Sequence, residues 1–491
     1  MLLRFRTANV RSLRDEQELS FVVSEGEPSA AARPIGLAGG ETPGVLPLIG
    51  IFGANASGKS NVLAAMTDMR TAVLNSYAHW ASHDMIPRHS FALDAKEEHE
   101  PSFFEADLVI EGVRWTYGFE LGPTRVEAEW LHSYPRGHRQ VWLDRDASRT
   151  EVYEWPGARV KDRLQLARRT RPNALLLSTA GTDNHPQLSP LFHWFRRNLW
   201  LINPEDERTE RETFTTRELS GSRARRINEL LRVADLGITG AEAVPEAKDR
   251  LTVKLTHRSA TGDVAFDWRN ESYGTRSWFA LLGPLLLALD EGCVLLVDEL
   301  DASLHPRFAA EVVRLFHDPD ANPNGAQLAF TSHDPSVLTT PSGGRLLEPG
   351  QVWLTEKDKD GATELYPLTA ASPGENEDLM RSYLAGPSAR SPRSWRARSP
   401  GGCWRRLMRR SGPDGAYEGE GLAGSRETAA RPASQSRPRL HRGPGHGARL
   451  HPDHSRPGRL RRSVRGGRGA DRELLRAGFP AQADQAGRSS G

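Results

Sequence analysis

The stretch VLPLIGIFGANASGKS, residues 45–60, joins a continuous apolar run to a glycine-rich turn that ends in Lys59 and Ser60. The run Val45–Phe52 has no polar side chain, which is typical of a strand buried on both faces of a parallel sheet. The turn fits G-x-x-x-x-G-K-[ST], and a helical pattern follows from about residue 61 to 77. Because glycines let backbone N–H groups converge on one phosphate, we predict a phosphate-binding loop rather than an ordinary turn. The predicted nucleotide-binding residues are Gly53, Asn55, Ser57, Gly58, Lys59, Ser60 and Asn61.

A second apolar strand, Val294–Val297, ends in two carboxylates, Asp298 and Glu299. An aspartate at the carboxyl end of a strand beside a phosphate loop suits Mg²⁺, and the Ser60 hydroxyl would be a further ligand of the metal. Lys59 would hold the β- and γ-phosphates, and Glu299 would act as the general base or position the attacking water. The alternative is a buried strand with an ordinary acidic end.

Two further segments flank this strand in the sequence. ESYGTR, residues 271–276, lies at the N-terminal end of an apolar helix predicted over 275–289, and Gly274 precedes Asp298 by 24 residues. FTSHD, residues 330–334, ends a predicted strand, and His333 follows Asp298 by 35 residues. Taken alone, the first segment is an ordinary helix cap and the histidine is a loop residue.

Taken in order along the chain, these segments resemble the motifs of the ATP-binding cassette (ABC) class of P-loop ATPases. GANASGKS resembles the Walker A motif, ESYGTR the signature motif, LLVDE the Walker B motif, LDASLHP the D-loop and TSHD the switch histidine. The resemblance covers roughly residues 1–386. It implies an α/β fold: an ABC-type head with a mixed or parallel sheet flanked by helices, an antiparallel β subdomain and a mostly helical insertion at about 135–250.

The resemblance also implies a mechanism that needs two copies of the chain. ATP and Mg²⁺ would bind between the two heads of a homodimer, and hydrolysis of the ATP would allow the heads to separate. In this class the signature acts on the nucleotide of the opposite subunit, so Ser272, Gly274 and Thr275 would act in trans. Lys59, Ser60, Asp298, Glu299 and His333 would act within one subunit, Asp301 would be the D-loop residue, and Asn55 would be either a γ-phosphate contact or a turn residue.

Other segments narrow the resemblance. RFRTANVRSL, residues 4–13, resembles the first strand of RecF-like and OLD-like ATPases. PRHSFALD at 87–94 and YLAG at 383–386 resemble bacterial AAA-family ATPases of the RloA-like and abortive-infection groups. Those ATPases are encoded beside a separate effector gene, which implies an anti-phage sensor that acts with a nuclease-like partner protein. An OLD protein would carry a Toprim nuclease domain after the head, and residues 387–491 hold only eight scattered acidic residues.

One residue of the class pattern is missing. The glutamine that reaches Mg²⁺ and the attacking water has no counterpart, because no glutamine occurs from Asn61 to Trp130. His89 is the nearest polar candidate for this role. Two alternatives therefore stay open: a nucleotide-gated DNA-binding clamp with negligible turnover, and a DNA-repair ATPase of the RecF or SMC type.

The charge distribution divides the chain near residue 386. Residues 1–386 have a formal charge of −13, which does not indicate a surface for nucleic acid, although charge can be local. Residues 387–491 carry 23 Arg, no Lys and 8 acidic residues, a charge of +15, and contain no Ile or Asn. Such a tail has too few apolar residues for a core. Three interpretations follow: disorder, an Arg/Gly-rich nucleic-acid-binding tail, or translation of a GC-rich gene in the wrong frame.

Composition also bounds the location of the protein. The two cysteines, Cys293 and Cys403, are too few for a disulfide scaffold, and the longest apolar stretch, about residues 278–289, is too short to cross a bilayer. We therefore expect a cytoplasmic protein that does not span a membrane. The insertion at 135–250 has arginine-rich stretches at 168–171 and 223–226, which belong either to a solvated helical lobe or to a docking surface for an effector or nucleic acid.

We predict that residues from about Pro387 onward contribute nothing to ATPase activity. A chain truncated after Gly386 should keep the turnover of the full chain, because the tail lacks the apolar periodicity of a folded extension. Limited proteolysis of the full chain should stop near residue 386. Protection of the tail from protease without any ligand would contradict this expectation, whereas salt-sensitive DNA binding that is lost on truncation would favour a nucleic-acid-binding tail.

Overall fold

The computed structural model describes residues 1–23, 29–203, 208–233, 237–246, 250–301, 304, 306–338 and 344–371. The predictions for residues 387–491 lie outside this part of the chain, as do the YLAG segment and residues 302, 303 and 305 of the D-loop. None of the helices in these ranges combines the length and the hydropathy that a bilayer-spanning segment requires.

Eighteen strands and eight α-helices make up the regular structure of the described ranges. The strands are β1 (Leu2–Ala8), β2 (Gln17–Ser20), β3 (Arg33–Pro34), β4 (Gly44–Val45), β5 (Leu48–Gly53), β6 (Ser102–Ile110), β7 (Val113–Leu121), β8 (Val126–Ser133), β9 (Gln140–Asp146), β10 (Tyr153–Glu154), β11 (Leu199–Ile202), β12 (Ile238–Glu246), β13 (Arg250–His257), β14 (Val264–Asp267), β15 (Val294–Val297), β16 (Gln327–Ser332), β17 (Val352–Lys357) and β18 (Thr363–Pro367). The helices are α1 (Lys59–His79), α2 (Arg163–Arg169), α3 (Leu176–Thr182), α4 (Ser189–Asn198), α5 (Arg208–Glu218), α6 (Ala224–Val233), α7 (Tyr273–Glu291) and α8 (Pro306–His317).

Two large sheets organise these elements. The central sheet has six strands in the order β11-β15-β16-β5-β17-β18, and all neighbours are parallel except β17 and β18. The second sheet has seven antiparallel strands in the order β10-β9-β8-β7-β6-β1-β2. Smaller sheets join β12, β13 and β14, and β3 with β4. This is the predicted α/β fold, in which a mainly parallel sheet is accompanied by an antiparallel β region.

The central sheet is buried on both faces because alternate residues of its strands belong to different cores. Ile49 and Ile51 of β5 pack with α1, α3, α4 and the seven-stranded sheet. Leu48 and Phe52 of the same strand pack with α6, α7 and α8. Successive side chains of a strand point to opposite faces, so both faces must be apolar here. Burial on both faces explains why the sequence of β5 is an uninterrupted apolar run.

The sequences of Phe103–Ile110 and Val113–Leu121 predict a hairpin that turns at Glu111 and Gly112, and the structure confirms it. β6 and β7 pair antiparallel around these two residues, whose φ angles are +51° and +75°. Two consecutive left-handed residues form the tight turn whose twist matches that of the flanking strands. Glycine takes this conformation without strain, which explains why a Glu-Gly pair marks the turn.

The structure differs from expectation in the segment before α5 and in the strand that precedes β13. The sequence pattern from Val160 to Leu201 predicts helix, but the last helix of this region ends at Asn198, and β11 follows as the edge strand of the central sheet, parallel to β15. A four-residue apolar run cannot be assigned to helix or strand by periodicity alone, and here the ladder to β15 decides. β12, which pairs with β13, was not predicted, because its sequence ITGAEAVPE contains a glycine and a proline.

The arginine-rich stretches of the insertion mostly make contacts within the chain. Arg171 donates to the carbonyls of Ser76 and Tyr77 at the end of α1. Arg223 and Arg226 both pair with Asp290, at 2.7 and 2.6 Å. These contacts favour the solvated lobe over a docking surface for these side chains. The exposed arginines of the two stretches are Arg168, Arg169 and Arg225.

A fully buried carboxylate, Glu129 of β8, joins the seven-stranded sheet to α3. It accepts hydrogen bonds from the backbone N–H groups of Leu176 and Leu177, at 2.7 and 3.0 Å, and so caps the first turn of α3. The Tyr117 hydroxyl donates to it at 3.0 Å, and the buried Arg145 guanidinium lies 3.4 Å away. A buried charge is tolerated only when hydrogen bonds and an opposite charge compensate for the loss of water, and each of these contacts compensates the Glu129 carboxylate in this way.

We predict that Glu129→Ala destabilises the protein by about 3–5 kcal/mol, because it leaves the buried Arg145 charge without its carboxylate. The unfolding midpoint in urea measures the effect. Glu127→Ala is the matched control, since Glu127 lies two residues earlier on the same strand and pairs with the exposed Arg125. It should change the midpoint little, because surface ion pairs contribute little to stability. Equal midpoints for the two variants would contradict this account of the buried pair.

Candidate functional site

The carboxyl ends of three parallel strands meet at one edge of the central sheet. β16 lies between β5 and β15, and the registers pair Phe52 with Ser332 and Val297 with Phe330. The phosphate loop leaves β5 at this edge, the predicted Walker B carboxylates follow β15, and the predicted switch histidine follows β16. Open α/β sheets bind their ligands at such an edge.

The phosphate loop is pressed so closely against its neighbours that two of its positions accept only glycine. A Cβ atom at Gly53 would overlap the hydroxyl of a threonine on β17, and one at Gly58 would overlap the hydroxyl of a threonine on β18. Gly58 also has a φ of +104°, which side chains other than hydrogen rarely allow. Asn55 and Ser60 of the loop have exposed side chains, so their polar groups face solvent.

A series of hydrogen bonds, here called the hydroxyl relay, supports the loop from behind. Asn61 Nδ2 donates to Ser12 Oγ at 2.7 Å, and Ser12 Oγ lies 2.8 Å from Thr363 Oγ1. Thr363 Oγ1 donates to the Ser57 carbonyl at 2.9 Å. Because the single Thr363 proton goes to Ser57, the Ser12 hydroxyl must donate to Thr363. The Ser57 hydroxyl is engaged as well, 2.6 Å from Thr355 Oγ1.

Lys59 is buried, and its ammonium donates to the carbonyls of the first two loop residues, at 2.9 and 3.1 Å. Burial lowers the pKa of the Lys59 ammonium, and three carboxylates that follow β15 oppose this effect. These carboxylates are those of Glu299, Asp301 and Asp298. The Lys59 ammonium therefore lies near the three carboxylates that follow β15.

The residues after β15 and β16 contact one another. Asp298 Oδ1 accepts a hydrogen bond from the hydroxyl of Thr331 at 2.6 Å. Glu299 has an exposed side chain. The Asp301 carboxylate is buried, and its Oδ2 lies 2.8 Å from Nδ1 of His333, which is half exposed. The structure thus brings the predicted Walker B, D-loop and switch residues to the edge where the phosphate loop begins.

The predicted signature segment is anchored elsewhere, on α5. Ser272 caps α7, since its Oγ accepts from the Thr275 N–H at 3.1 Å, and Ser272 itself is exposed. Glu212 of α5 binds Arg276 at 3.1 Å and the indole N–H of Trp268 at 2.9 Å. Glu271 also pairs with His257 of β13 at 2.8 Å, so the segment contacts both α5 and β13, and Gly274 lies in the first turn of an exposed helix N-terminus.

α7 continues through Pro284 because α5 compensates for the proline. Proline has no N–H, so the carbonyl of Ala280 loses its helical partner. The hydroxyl of Thr215 on α5 donates to this carbonyl at 3.4 Å and accepts from the Gly283 N–H at 3.1 Å. One continuous helix therefore joins the signature segment to β15.

His89 lies beside α1 and not beside the Walker B carboxylates. Its Nδ1 is 3.5 Å from Oδ2 of Asp68. Asp68 is nine residues beyond Lys59, which is about 13 Å along the helix axis. This distance argues against His89 as the substitute for the missing glutamine.

A pocket of about 330 Å³ adjoins the phosphate loop on the same side as His89. Arg11, which borders it, has a φ of +54° and makes two hydrogen bonds to Asp68, at 2.7 and 2.9 Å. A left-handed arginine held by a carboxylate is a strained arrangement of the kind that clusters at ligand sites. The pocket is lined by Ser12 and Asn61 of the hydroxyl relay and by the cationic or ring-bearing side chains of Arg11, His89, Phe91 and Lys357.

Comparison with known proteins identifies the family. The family model described as "AAA domain, putative AbiEii toxin, Type IV TA system" matches residues 48–339, more than half of the chain. The chain belongs to this family. The expectation of a P-loop ATPase of the AAA and ABC group is thereby confirmed, whereas the RloA-like or abortive-infection subgroup stays a prediction.

One solved structure similar to this AAA-domain chain is the Smc head domain of Pyrococcus furiosus with an extended coiled coil, bound to the C-terminal domain of ScpA. The identity is 12%, the match covers 76% of this chain and 97% of that chain, and the TM-score is 0.35. Comparison with curated protein sequences yields no match.

Sequence reasoning missed the residues that support the site from behind. Ser12, Thr355 and Thr363 lie far from the phosphate loop in the sequence, and each is a single hydroxyl between one apolar and one charged neighbour. Thr331 lies within the FTSHD segment, in which the histidine is the residue that the motif predicts. A buried threonine at the carboxyl end of an otherwise apolar parallel strand is the signal that could have marked Thr331 and Thr355.

We predict that Thr363→Val weakens nucleotide binding by about tenfold. The change keeps the shape of the side chain but leaves the Ser57 carbonyl and the Ser12 hydroxyl without their partner, and an unsatisfied buried group costs about 1–3 kcal/mol. Titration with a fluorescent ATP analogue measures the affinity. Thr363→Ser keeps the hydroxyl and should bind nearly as the unmodified chain does, so equal losses in both variants would argue against the relay.

Proposed function

We propose that this chain binds ATP with Mg²⁺ and hydrolyses the nucleotide to ADP and phosphate. The observation that carries the proposal is the common edge of β5, β16 and β15, where the phosphate loop meets the carboxylates of Asp298 and Glu299. The loop fits a phosphate group, because Gly53 and Gly58 leave no room for a Cβ atom and the polar side chains of Asn55 and Ser60 are exposed. The AAA family match supports the same assignment.

Each residue at this edge has a role that its position suits. Lys59 exchanges its loop carbonyls for the β- and γ-phosphates, and Asn55 contacts the γ-phosphate from the exposed part of the loop. Ser60 and Asp298 hold Mg²⁺, which supplies neutralising charge on the phosphates. Glu299 positions the attacking water and takes its proton. His333, held by Asp301, faces the γ-phosphate from the neighbouring strand.

The nucleoside of ATP occupies the 330 Å³ pocket beside the loop. Asn61 directly follows Ser60 and lines this pocket, so a nucleotide held by the loop can extend into it without a gap. Arg11 and Lys357 give the pocket a cationic rim near the α-phosphate, and the ring of Phe91 offers an apolar surface for the base.

A second copy of the chain completes the site. The exposed Ser272 lies at the N-terminus of α7, where the N–H of Gly274 has no intrahelical partner and favours a phosphate, while the N–H of Thr275 is bonded to Ser272 Oγ. These groups are anchored on α5, so they serve the nucleotide of the opposite copy. The result is a homodimer in which ATP is sandwiched between two heads.

The biological role that we propose is that of a cytoplasmic sensor ATPase in a bacterial anti-phage system, acting with a separate, nuclease-like effector protein. The family description supports it, since that description names a putative AbiEii toxin and a type IV toxin–antitoxin system. The alternative is a nucleotide-gated DNA-binding clamp or a RecF- or SMC-like repair ATPase. One observation favours a slow clamp: His89, the candidate for the missing glutamine, contacts Asp68, which lies about 13 Å along α1 from Lys59.

We predict that Lys59→Ala abolishes nucleotide binding, whereas Glu299→Gln keeps binding and slows turnover by at least ~10²-fold, the usual scale for loss of a general base. Phosphate release and nucleotide titration measure the two effects, and size-exclusion chromatography should show the Glu299→Gln chain trapped as an ATP-bound dimer. Glu291→Gln removes the same charge from an exposed glutamate at the other end of β15 and should keep normal turnover. A wild-type chain that binds ATP but shows no turnover with DNA or effector would favour the clamp.

Gly274→Arg tests the dimer independently. An arginine at the first turn of α7 should block the opposite nucleotide and abolish turnover, while binding of ATP to the variant's own loop continues. Mixing Lys59→Ala chains with Gly274→Arg chains should restore part of the activity, because each mixed dimer has one intact composite site. Normal hydrolysis by Gly274→Arg alone would mean that the site does not need a second copy.

A further inference from the structure

The hydroxyl of Thr331 is the only side-chain atom in the described ranges that is seen to bond both residues of the Walker B pair. Thr331 is fully buried and is the penultimate residue of β16, which lies between β5 and β15. Its Oγ1 donates to Oδ1 of Asp298 at 2.6 Å and accepts from the N–H of Glu299 at 2.7 Å. Its carbonyl accepts from the N–H of Leu300 at 3.0 Å. Three consecutive residues after β15 are thus tied to one residue of β16.

The direction of these hydrogen bonds is determined by their chemistry. A backbone N–H can only donate, so the Glu299 amide uses a lone pair of the Thr331 oxygen. An ionised carboxylate can only accept, so the single proton of the hydroxyl goes to Asp298. One lone pair of Asp298 is therefore committed, and the orientation of the carboxylate is defined for whatever its other lone pairs bind.

The backbone of Glu299 adds a reason for this contact. Its φ is +49°, the left-handed conformation, which costs a residue with a side chain on the order of 1 kcal/mol. The conformation directs the Glu299 N–H inward to Thr331 and leaves the carboxylate exposed at the edge of the sheet. Without the threonine oxygen, the inward N–H would be a buried donor without a partner, and the strained conformation would lose its support.

We propose that Thr331 is a positioning residue of the ATPase site, whose single hydroxyl sets Asp298 and Glu299 in their mutual arrangement. This inference rests on the proposed function, in which Asp298 holds Mg²⁺ and Glu299 acts on the attacking water. Because Thr331 is also two residues before His333, the same strand that carries the switch histidine holds the Walker B pair. A shift of β16 relative to β15 would therefore disturb the metal ligand and the base together.

Thr331→Val tests the role, because valine has nearly the same shape and lacks the hydroxyl. We expect kcat to fall by about 10- to 100-fold and the Mg²⁺ concentration for half-maximal turnover to rise, which is the scale for loss of a group that orients a metal ligand. Binding of nucleotide in EDTA should be unchanged, since Lys59 and the loop do not touch Thr331. Thr331→Ser keeps the hydroxyl and should restore most of the turnover and the Mg²⁺ response.

Thr179→Val is the matched control, since Thr179 is an equally buried threonine in α3, outside the site. It should lower the unfolding midpoint without changing the Mg²⁺ response. If Thr331→Val fails to fold, Thr331→Ser and Thr331→Ala replace it, because these two variants differ only in the hydroxyl oxygen. An unchanged kcat and an unchanged Mg²⁺ response in the folded variant without the hydroxyl would overturn the inference.

The failure of this inference is distinguishable from the failure of the proposed function. If the wild-type chain hydrolyses ATP and the hydroxyl-free variant is equally active, only the role of Thr331 is wrong. If the wild-type chain binds Mg²⁺-nucleotide without turnover, the Mg²⁺ requirement for binding takes the place of kcat, and it must rise in Thr331→Val. If the wild-type chain binds no Mg²⁺-nucleotide at all, the proposed function is wrong and the inference falls with it.

Discussion

The parallel ladder of β5, β16 and β15 is the constraint on which the rest of the site depends. It pairs residues that are 280 positions apart in the sequence, such as Leu48 and Leu328, and sets the level at which each strand ends. A slip of one residue would move a strand end by about 3.3 Å and turn its side chains to the other face of the sheet. Both faces are buried against helices, so such a slip would place core residues wrongly all along the strand. The apolar packing of the sheet is therefore what holds the phosphate loop and the carboxylates in register.

Buried hydroxyl groups orient the phosphate loop and the carboxylates on this sheet. The relay from Asn61 through Ser12 and Thr363 to Ser57 sits behind the loop, and Thr331 sits behind the carboxylates. A hydroxyl suits both places because it donates and accepts at once, so one small group can bond a loop carbonyl or a backbone N–H and another side chain together. Such buried networks are stable only when each member has its partners, which makes them specific about geometry.

The helix α7 connects the signature segment to the strand that carries the carboxylates. Its 19 residues span about 28 Å, and it is buried along most of its length against α5 and α6. Thr215 of α5 bonds the carbonyl that Pro284 leaves unpaired, so the helix is continuous from Ser272 to Glu291. Two parts of the site that lie on different faces of the molecule in the proposed mechanism are thus joined by one rigid element.

The amino-acid sequence predicted the phosphate loop, the strand with Asp298 and Glu299, the hairpin at Glu111 and Gly112, and the α/β class, because each depends on local spacing, glycine geometry or apolar periodicity. It did not determine β11, since four apolar residues adopt either state until a ladder partner is present. Nor did it determine the partners of Ser12, Thr331 and Thr363, because a hydrogen bond between distant residues leaves no periodic trace in the sequence. The site of His89 was likewise decided by the tertiary structure, which holds it beside Asp68 of α1. Local patterns encode which elements form, whereas the register of the parallel sheet decides which hydroxyls, carboxylates and amides meet at its edge.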